Sequence, residues 1–149
     1  MANTFTQLTY HVVFSTKNRT PVLMDAGREE LYRYFWGIHK SLGCHLYRIG
    51  GVEDHVHILT SMPTTLAMSK YLQEIKTGTS AWIKSTRKFP GWEGWQDGYG
   101  AFTVSASHRN AVIEYIRNQP EHHRTESFLD ELRRLLVEAG VKFDERYLV

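Results

Sequence analysis

"VEDHVHILTSMP", residues 52–63, carries the alternation that decides the fold. Val56 and Ile58 alternate with His55 and His57, and successive side chains of a β-strand point to opposite faces of its sheet. The segment therefore predicts a strand whose aliphatic side chains face a core. Its two imidazoles then lie side by side on the other face.

The elements around this strand predict the rest of the architecture. Further strands are predicted at about 7–15, 45–50 and 101–107, and helices at about 28–42, 65–86, 108–119 and 127–139. The order β-α-β-β-α-β is that of the α+β, ferredoxin-like (RRM-like) split βαβ fold, an antiparallel sheet with two helices on one face. We expect one domain over residues 1–149. Two additional C-terminal helices follow. The two helices of the βαβ pattern cover one sheet face, and the other face is open unless something else covers it.

The composition is that of a soluble globular protein. Hydrophobic residues make up 42% of the 149 residues and charged residues 23%, and the net charge is only +2. No apolar run approaches the ~18 residues needed to span a bilayer, so no membrane partner is expected. Cys44 is the single cysteine, which excludes a disulfide framework and a Cys-rich zinc site. The N-terminus lacks signal-peptide features, and a cytoplasmic location is expected.

The histidine pair by itself has two interpretations. With eight histidines in 149 residues, a His-x-His pair can arise by chance, and His55 and His57 can be two surface residues of a half-exposed strand. Alternatively, two imidazoles on one face are close enough to share a metal ion. A metal site needs at least one more ligand.

The helix at 108–119 offers a candidate. Tyr115 and Gln119 are four residues apart, so they lie on one side of the helix, at the edge of its apolar stripe. They can be a packing tyrosine and a helix-terminal glutamine. If they lie near the histidines, an imidazole pair with an amide oxygen suits Mg²⁺ or Mn²⁺, and a phenol beside that ion can attack a phosphodiester. His122 and His123 follow Pro120 and are expected at the surface.

Three segments resemble a known family. "DHVHIL" (54–59), "WQDGYGAFTVS" (95–105) and "EYIRNQ" (114–119) are similar to motifs of the single-tyrosine HUH transposases of the smallest bacterial insertion sequences (IS-two-hundred type). The REP-associated tyrosine transposases are their close relatives. The motifs occur in the family's order and spacing, and the similarity runs from "LTYHVVFSTKNR" (8–19) to Gln119.

The resemblance implies a specific activity. His55, His57 and Gln119 would hold a divalent metal, Mg²⁺ or Mn²⁺, and Tyr115 would be the nucleophile. Such transposases bind hairpins in single-stranded DNA, cleave beside them through a 5′-phosphotyrosine intermediate and rejoin strands without a nucleotide cofactor. They act as homodimers in which the tyrosine helix of one subunit can complete the site of the other.

Basic and aromatic residues add candidate DNA contacts. Candidates for phosphate binding are Lys70, Lys84, Arg87 and Lys88. Trp92, Trp95 and Tyr99 lie in the glycine-rich segment 88–100, where they can stack on unpaired bases or anchor the loop by packing.

Two other functions remain open from the residues. One is a non-catalytic ferredoxin-like nucleic-acid-binding protein, although such proteins carry aromatic side chains where this sheet carries His55 and His57. The other is a metal-dependent phosphodiesterase that uses activated water, with Tyr115 in a structural role.

Overall fold

A computed structural model describes residues 3–148 and contains one four-stranded antiparallel sheet in the order β2-β3-β1-β4. The strands are β1 (Thr9–Ser15), β2 (His45–Gly51), β3 (His55–Ser61) and β4 (Gly100–Thr103). The helices are α1 (Asp25–Ser41), α2 (Met68–Thr86), α3 (Arg109–Arg117), α4 (Gln119–His122) and α5 (Phe128–Glu138). The predicted α+β fold, an antiparallel split βαβ sheet followed by further helices, is confirmed.

The first face of the sheet carries the main core. Val56 and Ile58 of β3 pair in register with Phe14 and Val12 of β1, and all four are almost fully buried under α1 and α2. Removing such a side chain from water contributes about 1.5–3 kcal/mol. This face is the one that the alternation in residues 52–63 predicts.

The second face is not open, because the C-terminal helices cover it. Val13 packs against Phe128 and Leu132 of α5, and Leu59 packs against Ile116 of α3. The molecule therefore has three layers, with α1 and α2 on one side of the sheet and α3 to α5 on the other. His55 and His57 point into this second interface.

A close approach between β2 and α3 fixes the position of the second layer. A Cβ atom on Gly50 would lie 2.7 Å from the carbonyl oxygen of Ile116 and 3.0 Å from its Cγ2 atom. Only a residue without a side chain allows the end of α3 to rest on the strand at this distance.

The helix predicted over residues 108–119 is divided in the structure. α3 ends at Arg117, and Asn118 has φ −90° and ψ 12°, so Gln119 begins the short helix α4 rather than continuing α3. Pro120 lacks an N–H group and cannot donate to the carbonyl of residue 116, which explains the break.

Three other boundaries differ from prediction. α1 begins at Asp25 rather than near residue 28. Its first turn meets the Phe89 ring at Gly27, where a Cβ atom would approach the ring to 2.7 Å. α2 begins at Met68 rather than near residue 65. β4 ends at Thr103 rather than near 107, since residues 106–108 form a 3-10 turn.

The glycine-rich segment is fastened to the core by its tryptophans. The Trp95 ring lies edge-on to Phe14 at 4.9 Å between centroids, and its Nε1 donates to Thr79 Oγ1 at 2.9 Å. Trp92 packs on Trp95 at 4.8 Å. These contacts favour a packing role over base stacking for the two tryptophans. Tyr99 is 45% exposed, so both roles stay open for it.

None of the helices within residues 3–148 is both long and apolar enough to pass through a lipid bilayer.

Candidate metal and tyrosine site

The two histidines of β3 are fully buried and oriented by partners on their far ring nitrogens. His55 Nδ1 lies 2.7 Å from the Asp54 carboxylate, and His57 Nδ1 lies 2.8 Å from Nε2 of His11 on β1. These contacts leave the Nε2 atoms of both histidines directed toward α4 and α5. Metal-binding histidines are held in this way by outer partners, which fix the ring orientation.

Tyr115 and Gln119 reach the same interface. Gln119 is fully buried and its Oε1 lies 3.0 Å from Nε2 of His55. The Tyr115 ring is 5.7 Å from the His57 ring, measured between centroids, and approaches it edge-on. The structure thus brings the four sequence-predicted residues together, all from one chain.

Glu131 of α5 lies at the centre of the site, although none of the sequence motifs includes it. Its Oε1 atom is 2.8 Å from His57 Nε2 and 3.4 Å from His55 Nε2. Its Oε2 atom accepts hydrogen bonds from Gln119 Nε2, at 2.9 Å, and from the Tyr115 hydroxyl. Glu131 is fully buried, and a buried carboxylate is found where it has charged or donor partners.

A signal for Glu131 does exist in the sequence. It is a charged residue within the apolar stripe of α5, three residues after Phe128 and four before Leu135. Positions with this spacing face the same side of a helix. Charged residues are rarely fully buried, so a carboxylate at an inward-facing position of the helix indicates a functional group.

His123 corrects another expectation. The two histidines after Pro120 were expected at the surface, but the side chain of His123 is only 7% exposed and that of His122 is 29% exposed. α4 turns the chain back toward the sheet, which places His123 Nε2 3.1 Å from Glu131 Oε1. A helical register cannot be extended across Pro120, so the sequence pattern does not predict the burial of these histidines.

Arg134 is a second neighbour of the tyrosine. Its Nη2 atom donates to the Tyr115 hydroxyl at 2.7 Å and to Glu126 Oε1 at 3.0 Å. The phenol therefore lies between a carboxylate, Glu131, and a guanidinium. Arg134 follows Glu131 by three residues, so one face of α5 supplies both.

Burial and neighbouring charges shift the pKa values of the groups in the site in different directions. Burial alone would lower the pKa of His55, but the Asp54 and Glu131 carboxylates raise it to about 9. Burial lowers the pKa of His57 to about 4 and that of His11 to about 3. Burial works to raise the pKa of Glu131, yet the surrounding imidazoles hold it well below its usual range. The Glu131 carboxylate is thus ionised beside the His55 imidazolium.

The tyrosine itself is held in its neutral form. Burial and the contact with Glu131 raise the pKa of Tyr115 above its ordinary value, while Arg134 acts in the opposite direction. Activation of the phenol therefore requires additional positive charge near its oxygen.

The donor atoms fit a metal ion. One ligand atom from each of His55, His57, His123 and Glu131 lies within 4.8 Å of all the others. The amide oxygen of Gln119 borders the same space, 3.0 Å from His55 Nε2. Nitrogen and oxygen donors converging from three elements are what a divalent ion requires.

The predicted DNA contacts lie elsewhere. Lys70, Lys84, Arg87 and Lys88 are exposed on or just after α2, on the far side of the sheet from the histidines. Lys70 pairs with Glu74 at 2.9 Å and Lys88 with Glu30 at 2.7 Å. The structure does not join these residues to the tyrosine site.

A ferredoxin-like sheet whose histidine pair faces a tyrosine is the arrangement that the comparison with known families now assigns to a class, the transposases. The family described as "Transposase IS200 like" matches residues 4–119. The chain belongs to this family, and the resemblance stated from its motifs is confirmed. It is therefore a tyrosine transposase, a DNA-cleaving enzyme of DNA transposition.

Individual transposases and their solved structures are also similar to this chain. The chain is 26% identical to the ISDra2 transposase TnpA of Deinococcus radiodurans over 118 residues, which are 76% of this chain and 84% of that protein. A crystal structure of a D. radiodurans protein assigned as a transposase is similar with a TM-score of 0.62 and 26% identity, covering 80% of this chain and 96% of that one. The structure of a REP-associated tyrosine transposase bound to a REP hairpin has a TM-score of 0.61. Its 15% identity, over 83% of this chain and 74% of that one, shows a shared fold.

The segment that supplies His123, Glu131 and Arg134 lies beyond the family match, which ends at residue 119.

Proposed function

We propose that this transposase cleaves and rejoins single-stranded DNA at hairpin-marked ends, with Tyr115 as the nucleophile. The proposal is carried by the Tyr115 hydroxyl, which lies beside the buried His55–His57 pair and is bonded to the carboxylate that contacts both. A tyrosine used only for packing does not need its hydroxyl among charged groups at the centre of an interface.

The reaction exchanges one phosphoester for another. The Tyr115 oxygen attacks a backbone phosphorus, the bond from phosphorus to the 3′ oxygen breaks, and a 5′-phosphotyrosine and a free 3′-hydroxyl result. The proton lost by the phenol balances the proton gained by the 3′ oxygen. Attack of a 3′-hydroxyl on the phosphotyrosine reverses these changes and rejoins strands, so no nucleotide cofactor is needed.

This chain's residues would hold a divalent ion, Mg²⁺ or Mn²⁺, through His55, His57 and Gln119. When bound, such an ion polarises the phosphate and stabilises the charge that develops in the transition state. Asp54 and His11 orient the two imidazoles from behind. Arg134 donates to the Tyr115 oxygen and thereby favours its phenolate form.

Hairpin DNA and a homodimer complete the proposal. The fold is shared with a tyrosine transposase described as bound to a REP hairpin. Exposed basic residues at the end of α2 (Lys84, Arg87 and Lys88) are candidates for phosphate contacts. Within one chain Tyr115 lies beside its own histidines, so completion of the site in trans requires α3 of a partner to take this place.

The decisive test is a covalent adduct. Labelled single-stranded hairpin DNA, incubated with the protein and Mn²⁺, should give a denaturant-resistant protein–DNA species that Tyr115→Phe cannot form. Cleavage without an adduct would identify a phosphodiesterase that uses water. Binding without cleavage would identify a non-catalytic nucleic-acid-binding protein.

Trans assembly has its own test. Tyr115→Phe and His57→Ala proteins, each inactive alone, should regain activity when mixed if sites are shared between subunits. No recovery from the mixture would show that each chain uses its own tyrosine.

A further inference from the structure

We propose that the C-terminal segment completes the metal centre, with His123 and Glu131 as ligands in addition to His55 and His57. The inference deepens the proposed function, since it concerns the metal that function uses. Its tests measure metal binding directly and do not depend on DNA cleavage.

The first argument is the convergence of three imidazoles on one oxygen. Glu131 Oε1 lies 2.8 Å from Nε2 of His57, 3.1 Å from Nε2 of His123 and 3.4 Å from Nε2 of His55. A carboxylate oxygen needs one or two donors when it is buried, so three ring nitrogens around one atom exceed what hydrogen bonding requires. The same set of atoms suits a metal ion that accepts electron pairs from all four residues.

The second argument is the state of His123. Its Nδ1 is within 2.6 Å of the Glu126 carbonyl oxygen, which orients the ring. Its Nε2 is buried and lies near Glu131, yet it has no hydrogen-bond partner of suitable geometry among residues 3–148. An unpartnered buried nitrogen is costly, whereas coordination of a metal would use it.

The third argument is that the two oxygens of Glu131 have different neighbours. Oε1 faces the imidazoles, while Oε2 is held by Gln119 Nε2 at 2.9 Å and by the Tyr115 hydroxyl. Ligation through Oε1 therefore leaves Oε2 free to hold the tyrosine. In this arrangement the Gln119 amide keeps its Oε1 beside His55 Nε2 as a ligand atom and holds Glu131 through its Nε2, and one carboxylate joins the metal to the nucleophile.

The ligand set predicts a metal preference. Three imidazoles and one carboxylate favour Mn²⁺ and later transition metals over Mg²⁺, which prefers oxygen donors and retains water. Because His123 and Glu131 lie outside the segment matched by the family, this preference belongs to the chain's own C-terminal part.

The direct test counts histidine ligands in the unmodified protein. Protein labelled with ¹⁵N in histidine and loaded with ¹¹³Cd²⁺ should show a one-bond cadmium–nitrogen coupling to Nε2 of His55, His57 and His123. Coupling to His55 and His57 alone would overturn the proposal. No variant is needed, so a folding defect cannot obscure the result.

The contribution of Glu131 and His123 to metal affinity is tested by isothermal titration calorimetry with Mn²⁺. Glu131→Gln keeps the shape of the side chain and should weaken binding by at least tenfold, as should His123→Gln. Glu121→Gln and His45→Gln change exposed residues of the same types and serve as matched controls. Unchanged affinity in both site variants, or tighter binding by Glu131→Gln, would show instead that the carboxylate only occupies the place of the ion.

The two proposals fail separately. Three coupled histidines without any DNA adduct would retain the metal centre and reject the nucleophilic role of Tyr115. An adduct formed by a protein with only two coupled histidines would retain the nucleophilic role of Tyr115 and reject the additional metal ligands.

Discussion

Glu131 Oε1 lies 2.8 Å from Nε2 of His57 although the residues are 74 positions apart in the chain. This contact joins α5 to β3, one of the two central strands of the sheet. Both side chains are fully buried in the interface between the helix and the sheet. The C-terminal helix is therefore part of the site, and its sequence bears directly on the chemistry there.

The fit between β2 and α3 controls the position of the tyrosine. In Gly50→Ala the new Cβ atom would meet the carbonyl oxygen of Ile116, next to Tyr115, at 2.7 Å. We expect a loss of about 1–3 kcal/mol in the free energy of unfolding, together with reduced adduct formation, because α3 must move away from the strand. Urea denaturation and the adduct assay measure the two effects.

Gly37→Ala is the matched control for this substitution. Gly37 is in α1, and no atom lies within 4 Å of the Cβ position. Alanine there should stabilise the helix by about 0.5–1 kcal/mol and leave the site intact. If both variants behave alike, the close approach at Gly50 is not what holds α3.

His11 is expected to act on the metal through His57. His11→Phe keeps an aromatic ring but removes the contact of 2.8 Å to His57 Nδ1. The free imidazole can then rotate, and we expect the affinity for Mn²⁺ to fall by about 10–100-fold with the fold retained. Calorimetric titration checks this value, with His45→Phe, at the exposed first residue of β2, as control. An affinity within twofold of wild type would assign His11 to packing alone.

The sequence predicted the sheet well because a strand's alternation reports its two faces directly. Val56 and Ile58 face the main core, and His55 and His57 face the site, as expected from residues 52–63. Glu131 and His123 could not be placed in the same way. The helical spacing of α5 marks Glu131 only as facing inward. Which residues Glu131 and His123 meet depends on how α4 turns at Pro120 and how α5 docks, and these long-range contacts leave no periodic signal.

Trp95 illustrates a different limit of prediction from the sequence. A tryptophan in a glycine-rich segment can stack on a base or anchor the loop, and composition does not distinguish these roles. The structure favours anchoring, because the ring contacts Phe14 and its Nε1 is bonded to Thr79. Such a choice depends on tertiary packing, which the local sequence does not encode.

A buried histidine remote from the site should make stability depend on pH. His39 of α1 contacts Tyr71 of α2, and burial lowers its pKa from 6.5 to about 4. Below pH 6.5 the unfolded chain binds a proton that the folded protein does not, so stability falls as the pH decreases from about 6.5 to 4, by up to about 3 kcal/mol. Urea denaturation at several pH values measures this dependence.

His39→Gln isolates the effect from that of the other buried histidines. The variant is expected to be less stable at pH 7 because it disturbs the contact with Tyr71, but its stability should decrease less between pH 6.5 and 4. Parallel curves for the variant and the wild type would mean that His39 is not the titrating group.

Arg134 is expected to govern the reactivity of Tyr115. Its Nη2 donates to the phenol oxygen at 2.7 Å, and it opposes the burial and the Glu131 contact that raise the pKa of Tyr115. In Arg134→Gln that pKa should rise further, so adduct formation should slow by about 10²–10³-fold and its pH–rate profile should move to higher pH. Arg133→Gln removes a neighbouring guanidinium that pairs with Glu145 and should leave the profile unchanged. A slower rate with an unshifted profile would mean that Arg134 positions the helix without acting on the phenol.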